Sequence, residues 1–249
     1  MNRKTIGTAL AAGLMALAAG TVHAADVNAW VALSSAYVWR GITLNDGWVV
    51  QPGLEVSGLP VLIGVWANLD GDTYAHDSTI RRGEVSEVDF YGTYEVPIEC
   101  MNLDLNYYEY TYPGRPFDAD RWASVAAGLE RPVGKTGVVC KPAIEAMYGL
   151  DGAAEKSGYF EGSVAGEYKV DQDWTATALA TLGYVDSYHG PGGFSHCTAS
   201  LGARYKFVHA GVTYVQQIEK DVLPTIHAHE AALGYDVKVY GTIGVSYGF

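Results

Sequence analysis

The chain has 249 residues, a formal net charge of -12 and a hydrophobic fraction of 49%. Such an acidic balance disfavours nucleic acid and anionic membrane surfaces, so nucleic acid is not expected as a partner. The 18 Tyr, 6 Trp and 30 Gly residues are typical of membrane interfaces, tight turns and strand crossings.

Residues 1–24 have the organisation of a secretory signal peptide. Arg3 and Lys4 precede an apolar, alanine-rich run from Ile6 to Ala19, and Val22-His23-Ala24 supplies a small-x-small cleavage site. The apolar run is too short for a membrane-spanning helix, and no later segment has about eighteen consecutive apolar residues. We therefore expect an exported mature domain over residues 25–249 that crosses no membrane as a helix.

Twelve segments of the mature chain alternate apolar and polar residues with period 2, which is the pattern of a β-strand between two environments. The last segment shows it clearly, since Val239, Ile243, Val245, Tyr247 and Phe249 share one parity. In chain order, we predict strands over Val27–Arg40, Trp48–Ser57, Val61–Asp70, Glu84–Val96, Met101–Tyr112, Arg121–Arg131, Val138–Leu150, Tyr159–Val170, Trp174–Val185, His196–Phe207, Val208–Ile218 and Asp236–Phe249.

The connections between these segments indicate a closed membrane barrel. Longer connections follow the odd-numbered segments and mostly short ones follow the even-numbered segments, which is the layout of outer-membrane barrels. We predict an all-β fold, a transmembrane antiparallel up-and-down β-barrel of about twelve strands in the outer membrane. Ile226–Tyr235 could add a strand, but His227–Leu233 followed by Gly234 favours a short helix in the last extracellular loop.

Several short motifs in the first half of the barrel carry a family resemblance. They are Tyr37-Val38-Trp39-Arg40-Gly41, Gln51-Pro52-Gly53-Leu54, Gly64-Val65-Trp66-Ala67-Asn68, Glu87-Val88-Asp89-Phe90-Tyr91 and Tyr107-Tyr108-Glu109-Tyr110-Thr111-Tyr112-Pro113. Together they resemble the TorF-family porins, small Gram-negative outer-membrane barrels with a YRFRG-like first strand. The match is best over Ala25–Gly114 and implies the fold more than the solute. The aromatic end at Phe249 likewise resembles closing strands that the barrel-assembly machinery recognises.

The polar parity predicts the lumen. If the apolar parity meets outer-membrane lipid, the opposite parity must face inward, because a charged side chain on the lipid face costs about 2–4 kcal/mol near the midplane. Acidic members come mostly from early strands and basic members from late ones, so opposed charges would set a field across the lumen. The predicted pore-lining residues are Arg40, Glu55, Trp66, Glu87, Asp89, Glu95, Asp104, Tyr108, Glu145, Glu161, Glu167, Arg204, Lys206 and Lys238.

Two functions compete for such a barrel. In one, a narrow water-filled pore allows passive diffusion of small polar solutes. In the other, the inward charges pair, fill the lumen and leave a rigid barrel without flux, because a barrel of this size lies near the crossover between filled and open interiors.

A third possibility is an outer-membrane lipid-modifying enzyme, and we predict no enzyme. The candidate neighbours are Ser195-His196 and His227/His229 with Glu230, but adjacent residues of a strand point to opposite faces. No cofactor and no metal site are predicted. Cys100 and Cys140 could form a disulfide near the periplasmic rim, which the sequence leaves open, and Cys197 falls on the outward parity.

Overall fold

The computed structural model describes residues 25–74, 80–115, 118–186, 190–219, 221–222 and 237–249. The predicted signal peptide and the Ile226–Tyr235 segment, with its histidines His227 and His229, lie outside these residues. Within these ranges, no helix is both long and apolar enough to cross a membrane.

The described chain is almost entirely strand and turn, as the period-2 pattern predicts. In order, the strands are β1 (Asp26–Ser34), β2 (Tyr37–Trp39), β3 (Ile42–Asn45), β4 (Val49–Ser57), β5 (Leu62–Asp70), β6 (Val85–Val96), β7 (Asn102–Thr111), β8 (Asp120–Gly128), β9 (Arg131–Pro132), β10 (Val138–Asp151), β11 (Gly158–Lys169), β12 (Trp174–Asp186), β13 (Gly193–Tyr205), β14 (Val208–Gln217) and β15 (Val239–Gly248), with one 3-10 turn at Gly152–Ala154.

Twelve of the described strands form one closed antiparallel ring. Each pairs with the next in the order β1, β4, β5, β6, β7, β8, β10, β11, β12, β13, β14 and β15. The ring closes where β15 pairs with β1, with Val245 opposite Val31 and Thr242 opposite Ser34. The prediction of an all-β, antiparallel barrel with twelve strands is confirmed.

The outer surface of the barrel is apolar. Ile144 on β10 is 67% exposed and Leu201 on β13 is 66% exposed, although both are large aliphatic side chains. Burial of such residues in lipid removes apolar area from water and stabilises the barrel by about 25 cal/mol per Å². In a soluble protein that area would stay in contact with water. A closed barrel with this exterior is an outer-membrane β-barrel.

Aromatic pairs mark both ends of this apolar band. The ring centres of Trp174 and Tyr205 lie 4.8 Å apart at the end where β12 begins and β13 finishes. At the opposite end, Tyr184 lies 5.4 Å from Phe194 and 6.3 Å from Phe160. These pairs form the two aromatic girdles that membrane barrels place at the lipid–water interfaces.

The two rims differ in the lengths of their connections. At one rim, β13 and β14 are joined by Lys206 and Phe207 alone, and four residues join β4 to β5. At the other rim, fourteen residues separate β5 from β6, from Gly71 to Glu84. We call these the short-turn rim and the long-loop rim. The short-turn rim has one longer connection, which contains β9 and pairs it with Val139 and Cys140 of β10.

Four of the predicted strand bounds are corrected by the structure. The first barrel strand ends at Ser34 instead of Arg40, β8 ends at Gly128 instead of Arg131, and β15 begins at Val239. The tenth barrel strand, β13, begins at Gly193, so that Ser195 belongs to the strand instead of the preceding loop. The three cysteines are free thiols, and Cys100 and Cys140 are not bonded to each other.

Candidate functional site

The segment after β1 turns into the barrel as a hairpin. Trp39 of β2 pairs with Ile42 of β3, and Arg40 and Gly41 form the two-residue turn between them. Arg40 has φ 47° and Gly41 has φ 83°. Two positive φ values match the twist of a tight hairpin. The sequence prediction of one strand from Val27 to Arg40 is therefore wrong, since its last residues belong to this inward hairpin.

The inward hairpin lies inside the lumen and contacts opposite walls. Ile42 is fully buried, although it belongs to no barrel strand. On one side, the Tyr37 hydroxyl donates to Glu87 Oε2 of β6 at 2.9 Å. On the other side, Gln217 Nε2 of β14 donates to the Gly41 carbonyl oxygen at 2.8 Å. The hairpin thus fixes a partition across the long-loop half of the barrel.

Arg40 is held at the tip of the hairpin by aromatic rings. Its guanidinium carbon lies 3.9 Å from the centre of Tyr159, 4.1 Å from Trp39 and 4.9 Å from Trp122. Nη2 donates to the Met147 sulfur at 2.6 Å. Cation–π contacts with three rings fix the position of this charge in the middle of the lumen. Arg40 lies inside the barrel, where the hairpin presents it instead of a wall strand.

A β-bulge brings Ser195 and His196 together. Gly183 of β12 faces His196, and the next residue, Tyr184, faces Phe194, so that Ser195 is the extra residue. Ser195 Oγ and His196 Nδ1 lie 3.0 Å apart. The prediction that these side chains point to opposite faces is wrong, because the bulge interrupts strand alternation. Both residues are buried, at 0% and 2% exposure, and His196 packs under the hairpin turn.

A cavity of about 270 Å³ lies beside the hairpin tip, and we call it the lumenal cavity. Glu145 of β10 and Glu161 of β11 face each other in register and line it together with Arg40 and His196. Thr181 and Thr198, whose hydroxyls are 2.7 Å apart, form part of the wall. The cavity therefore combines two carboxylates, one cation, an imidazole and neutral hydroxyls.

Three predicted pore residues lie in the long-loop half of the barrel, and two of them contact the hairpin. Glu87 is only 8% exposed and accepts the Tyr37 hydrogen bond. Trp66 lies 5.5 Å from Tyr37. Asp89 Oδ1 is buried and has no hydrogen-bond partner among the described residues. These side chains are on the lumenal parity, but packing has closed the lumen at their level.

Lys238 belongs to the same half of the barrel. It precedes β15 and hydrogen-bonds to Gln217 Oε1, the residue that also holds the hairpin turn. Its side chain therefore supports the partition at the long-loop rim.

An aromatic row continues from the hairpin down one wall. Trp39 lies 6.1 Å from Tyr110, Tyr110 lies 6.1 Å from Tyr108, and Tyr108 lies 6.4 Å from Tyr91. The hydroxyls of this row end on carboxylates, since Tyr91 donates to Glu55 at 2.8 Å and Tyr108 lies 3.4 Å from Glu145. The predicted residues Glu55 and Tyr108 thus share one connected wall.

The short-turn half of the lumen is open to solvent. Leu179 shares the lumenal face with Thr181 but remains 39% exposed, so packing does not fill the lumen at this level. Glu95 and Asp104 face each other across β6 and β7. On the far wall, Arg204 of β13 is exposed. An unfilled interior at this level is what a pore needs.

Two further predicted residues lie near the short-turn rim. Glu167 is on the wall and pairs with Lys141, with the carboxylate oxygen 3.1 Å from the ammonium nitrogen. Lys206 lies in the turn between β13 and β14, 3.6 Å from Asp173, and so stands at the rim instead of on the lumenal wall. Lys206 continues the alternation of β13 in the sequence, although the strand itself ends at Tyr205.

Sequence reasoning did not identify the residues that hold Arg40. Trp122, Met147 and Tyr159 are buried together as part of one internal cluster. All three fall on the lumenal parity of their strands, so large apolar residues at inward positions were the available signal. In a twelve-stranded barrel, such residues indicate that something inside the lumen packs against them.

Comparisons with known proteins agree with this fold. A model of the Gcw_chp family, described as a bacterial protein of unknown function, matches residues 18–247. The comparison with curated proteins finds no match. Among solved structures, the COG4313 outer membrane channel from Pseudomonas putida F1 aligns at a TM-score of 0.51 and 9% identity, over 92% of this chain and 98% of that chain.

Two other solved barrels align over similar lengths. The KdgM porin in complex with disordered oligogalacturonate covers 90% of this chain and 99% of its own, at a TM-score of 0.48 and 8% identity. LpxR from Salmonella typhimurium covers 88% and 99%, at the same TM-score and identity. Similarity at these identities concerns the fold alone. Among the described residues, no group of three or more His, Cys, Asp or Glu side chains could hold a metal ion.

Proposed function

We propose that this chain, which belongs to the Gcw_chp family of bacterial proteins of unknown function, is an outer-membrane channel for passive diffusion of small polar solutes. The observation that carries the proposal is the unfilled short-turn half of the lumen, where Leu179, Glu95 and Arg204 all remain exposed. Buried ionic groups of a solid core would need partners, whereas these charges are solvated.

The same proposal includes the finer assignments made from the sequence. The motifs around Tyr37–Gly41 support a TorF-family porin. The long-loop rim would face the cell exterior, and the barrel-assembly machinery would recognise Phe249. The wall residues predicted from parity, with Lys206 at the rim, would line the solute path. We propose a channel and not an enzyme, because Ser195 is fully buried and offers no accessible nucleophile.

A barrel without flux is the second candidate, and one observation favours it. The inward hairpin fills the long-loop half of the lumen, where Ile42, Val49 and Val185 are fully buried. A partition of this kind reduces or stops flow unless water passes beside the tip through the lumenal cavity.

Planar-bilayer conductance and liposome swelling test the channel. The purified barrel should give discrete, small conductance steps. Liposomes that contain the barrel should swell in glycerol, glycine and a monosaccharide, and the swelling should be fastest with the smallest solute. A variant in which a short Gly/Ser loop replaces residues 36–46 should have a conductance several-fold higher than that of the natural barrel, because the partition is removed.

The outcomes separate the two candidates. If the natural barrel does not conduct and the loop-replaced variant does, the natural protein is a barrel without flux. If neither protein conducts, and heat-modifiable migration on gels shows that both are folded, solutes do not pass through this lumen.

A further inference from the structure

We infer that the lumenal cavity binds the ammonium group of a small solute, a proposal that rests on the channel function above and names the class of solute. Glu145 and Glu161 supply the acceptors, Arg40 fixes one edge of the cavity, and His196 supplies one more polar atom.

The two carboxylates have free acceptor capacity. Glu145 Oε1 is bonded by Ser124 at 2.5 Å, and Glu161 Oε2 is bonded by the Tyr159 hydroxyl at 2.8 Å. Among the described residues, the second oxygen of each has no hydrogen-bond donor, and neither carboxylate forms an ion pair. Arg40 interacts with Glu161 electrostatically but lies outside ion-pair distance. Two carboxylates beside one cation leave the cavity with an excess negative charge.

His196 supplies an independent observation. Its side chain is 98% buried and its ring lines the lumenal cavity. Nδ1 is engaged by Ser195 at 3.0 Å, whereas Nε2 has no hydrogen-bond partner among the described residues. An imidazole nitrogen that no protein group engages remains available to a water or a solute in the cavity. Strand alternation from Thr198 turns this ring towards the cavity, and the bulge places Ser195 beside it.

The chemistry and the size of the cavity select the solute. Arg40 covers one face of Tyr159 and one face of Trp39, and His196 lies parallel to Tyr159 at 6.4 Å, so these rings leave little surface for a sugar to stack on. An isolated anion would meet two carboxylates. An ammonium group has three donors and a positive charge, which suit the free oxygens of Glu145 and Glu161. A volume of about 270 Å³ is below the usual range for drug-sized ligands and suits a solute of a few heavy atoms.

Binding by the intact barrel in detergent or liposomes tests the inference. Propylammonium, alanine, propionate and 1-propanol are matched in carbon number and differ in charge. Because Trp39 and Trp122 flank Arg40, intrinsic tryptophan fluorescence should report occupancy. We expect saturable binding of propylammonium and of alanine, and none of propionate or propanol.

Charge-removing variants identify the residues. Glu145→Gln and Glu161→Gln should each weaken propylammonium binding by about tenfold, the usual effect of losing a charge-assisted hydrogen bond. Glu167→Gln is the matched control, because it lies on the same face of β11 but is paired with Lys141 towards the short-turn rim. It should change binding by less than about twofold. Tighter binding of alanine than of propylammonium would add Arg40 as a carboxylate partner.

The results that would overturn the ammonium site differ from those that would overturn the channel function. Conductance without saturable propylammonium binding, or equal binding by Glu161→Gln and the natural chain, would overturn the ammonium site and leave the channel in place. Saturable binding in a barrel that conducts nothing would keep the site and remove the channel. Binding of propanol as strong as that of propylammonium would show simple apolar partition and would also overturn the inference.

Discussion

Arg40 and Gly41 show how two residues decide the shape of a lumen. Positive φ at both positions allows the chain to reverse within two residues. Gly41 also has a steric role, because an added Cβ would lie 2.6 Å from the Cβ of His196. The turn therefore fits against the wall only when its second residue has no side chain.

Gly41→Ala should displace the hairpin from its seat while the barrel stays closed. The left-handed backbone costs roughly 1–2 kcal/mol for a residue with a Cβ, and the contact with His196 adds to that cost. We expect larger conductance and stronger current fluctuation in single-channel recordings, with heat-modifiable gel migration unchanged.

Gly83→Ala is the control for this prediction. Gly83 has φ 82°, nearly the same as Gly41, but an added Cβ would meet nothing within 4 Å. The control therefore carries the same backbone penalty without the clash. Equal conductance of the two variants would show that contact with His196 does not seat the hairpin.

At the scale of elements, alternation of side chains predicted the barrel but not the hairpin. Ten of the twelve barrel strands begin within about two residues of the expected position, because one face needs lipid and the other water. Tyr37 and Trp39 continue the alternation of β1, and for that reason they resemble lipid-facing residues. In the folded chain they pack inside an aromatic lumen, which calls for the same residue types.

The bulge at Ser195 was equally hidden in the sequence. One extra residue in a strand changes which side chains share a face, and nothing in the local pattern of Ser195 and His196 signals it. The bulge places Ser195 against His196, which faces the lumenal cavity on the same parity as Thr198. Charges on the wall could thus be predicted from parity, whereas the contacts that join them across the ring could not.

At the scale of the whole molecule, unpaired charges of opposite sign occupy opposite walls near the short-turn rim. Glu95 of β6 and Asp104 of β7 stand on one side, Arg204 of β13 stands on the other, and Lys169 of β11 lies two strands from Arg204. Strands β6 and β13 are six places apart in the ring of twelve. Among the described residues, none of the four side chains forms an ion pair. Their field therefore crosses the mouth of the lumen.

Ion selectivity should follow these two walls. Glu95→Gln with Asp104→Asn should move the reversal potential in a KCl gradient towards that of chloride, because cations lose their attraction to the mouth. Lys169→Gln with Arg204→Gln is the mirror-image control and should move it towards that of potassium. Both shifts should fade at about 1 M salt, where the Debye length is only about 3 Å. Shifts of the same sign in both variants would contradict opposed walls.

The partners of the hairpin also set an order of events during biogenesis. Tyr37 bonds to β6 and the Gly41 carbonyl bonds to β14, so the two ends of its binding surface are far apart along the chain and meet only after the seam between β1 and β15 has formed. A nascent barrel should consequently be leaky at first and tighten afterwards. Stopped-flow refolding into vesicles would reveal this as dye leakage that ceases after heat-resistant closure is complete, and simultaneous completion would argue against it.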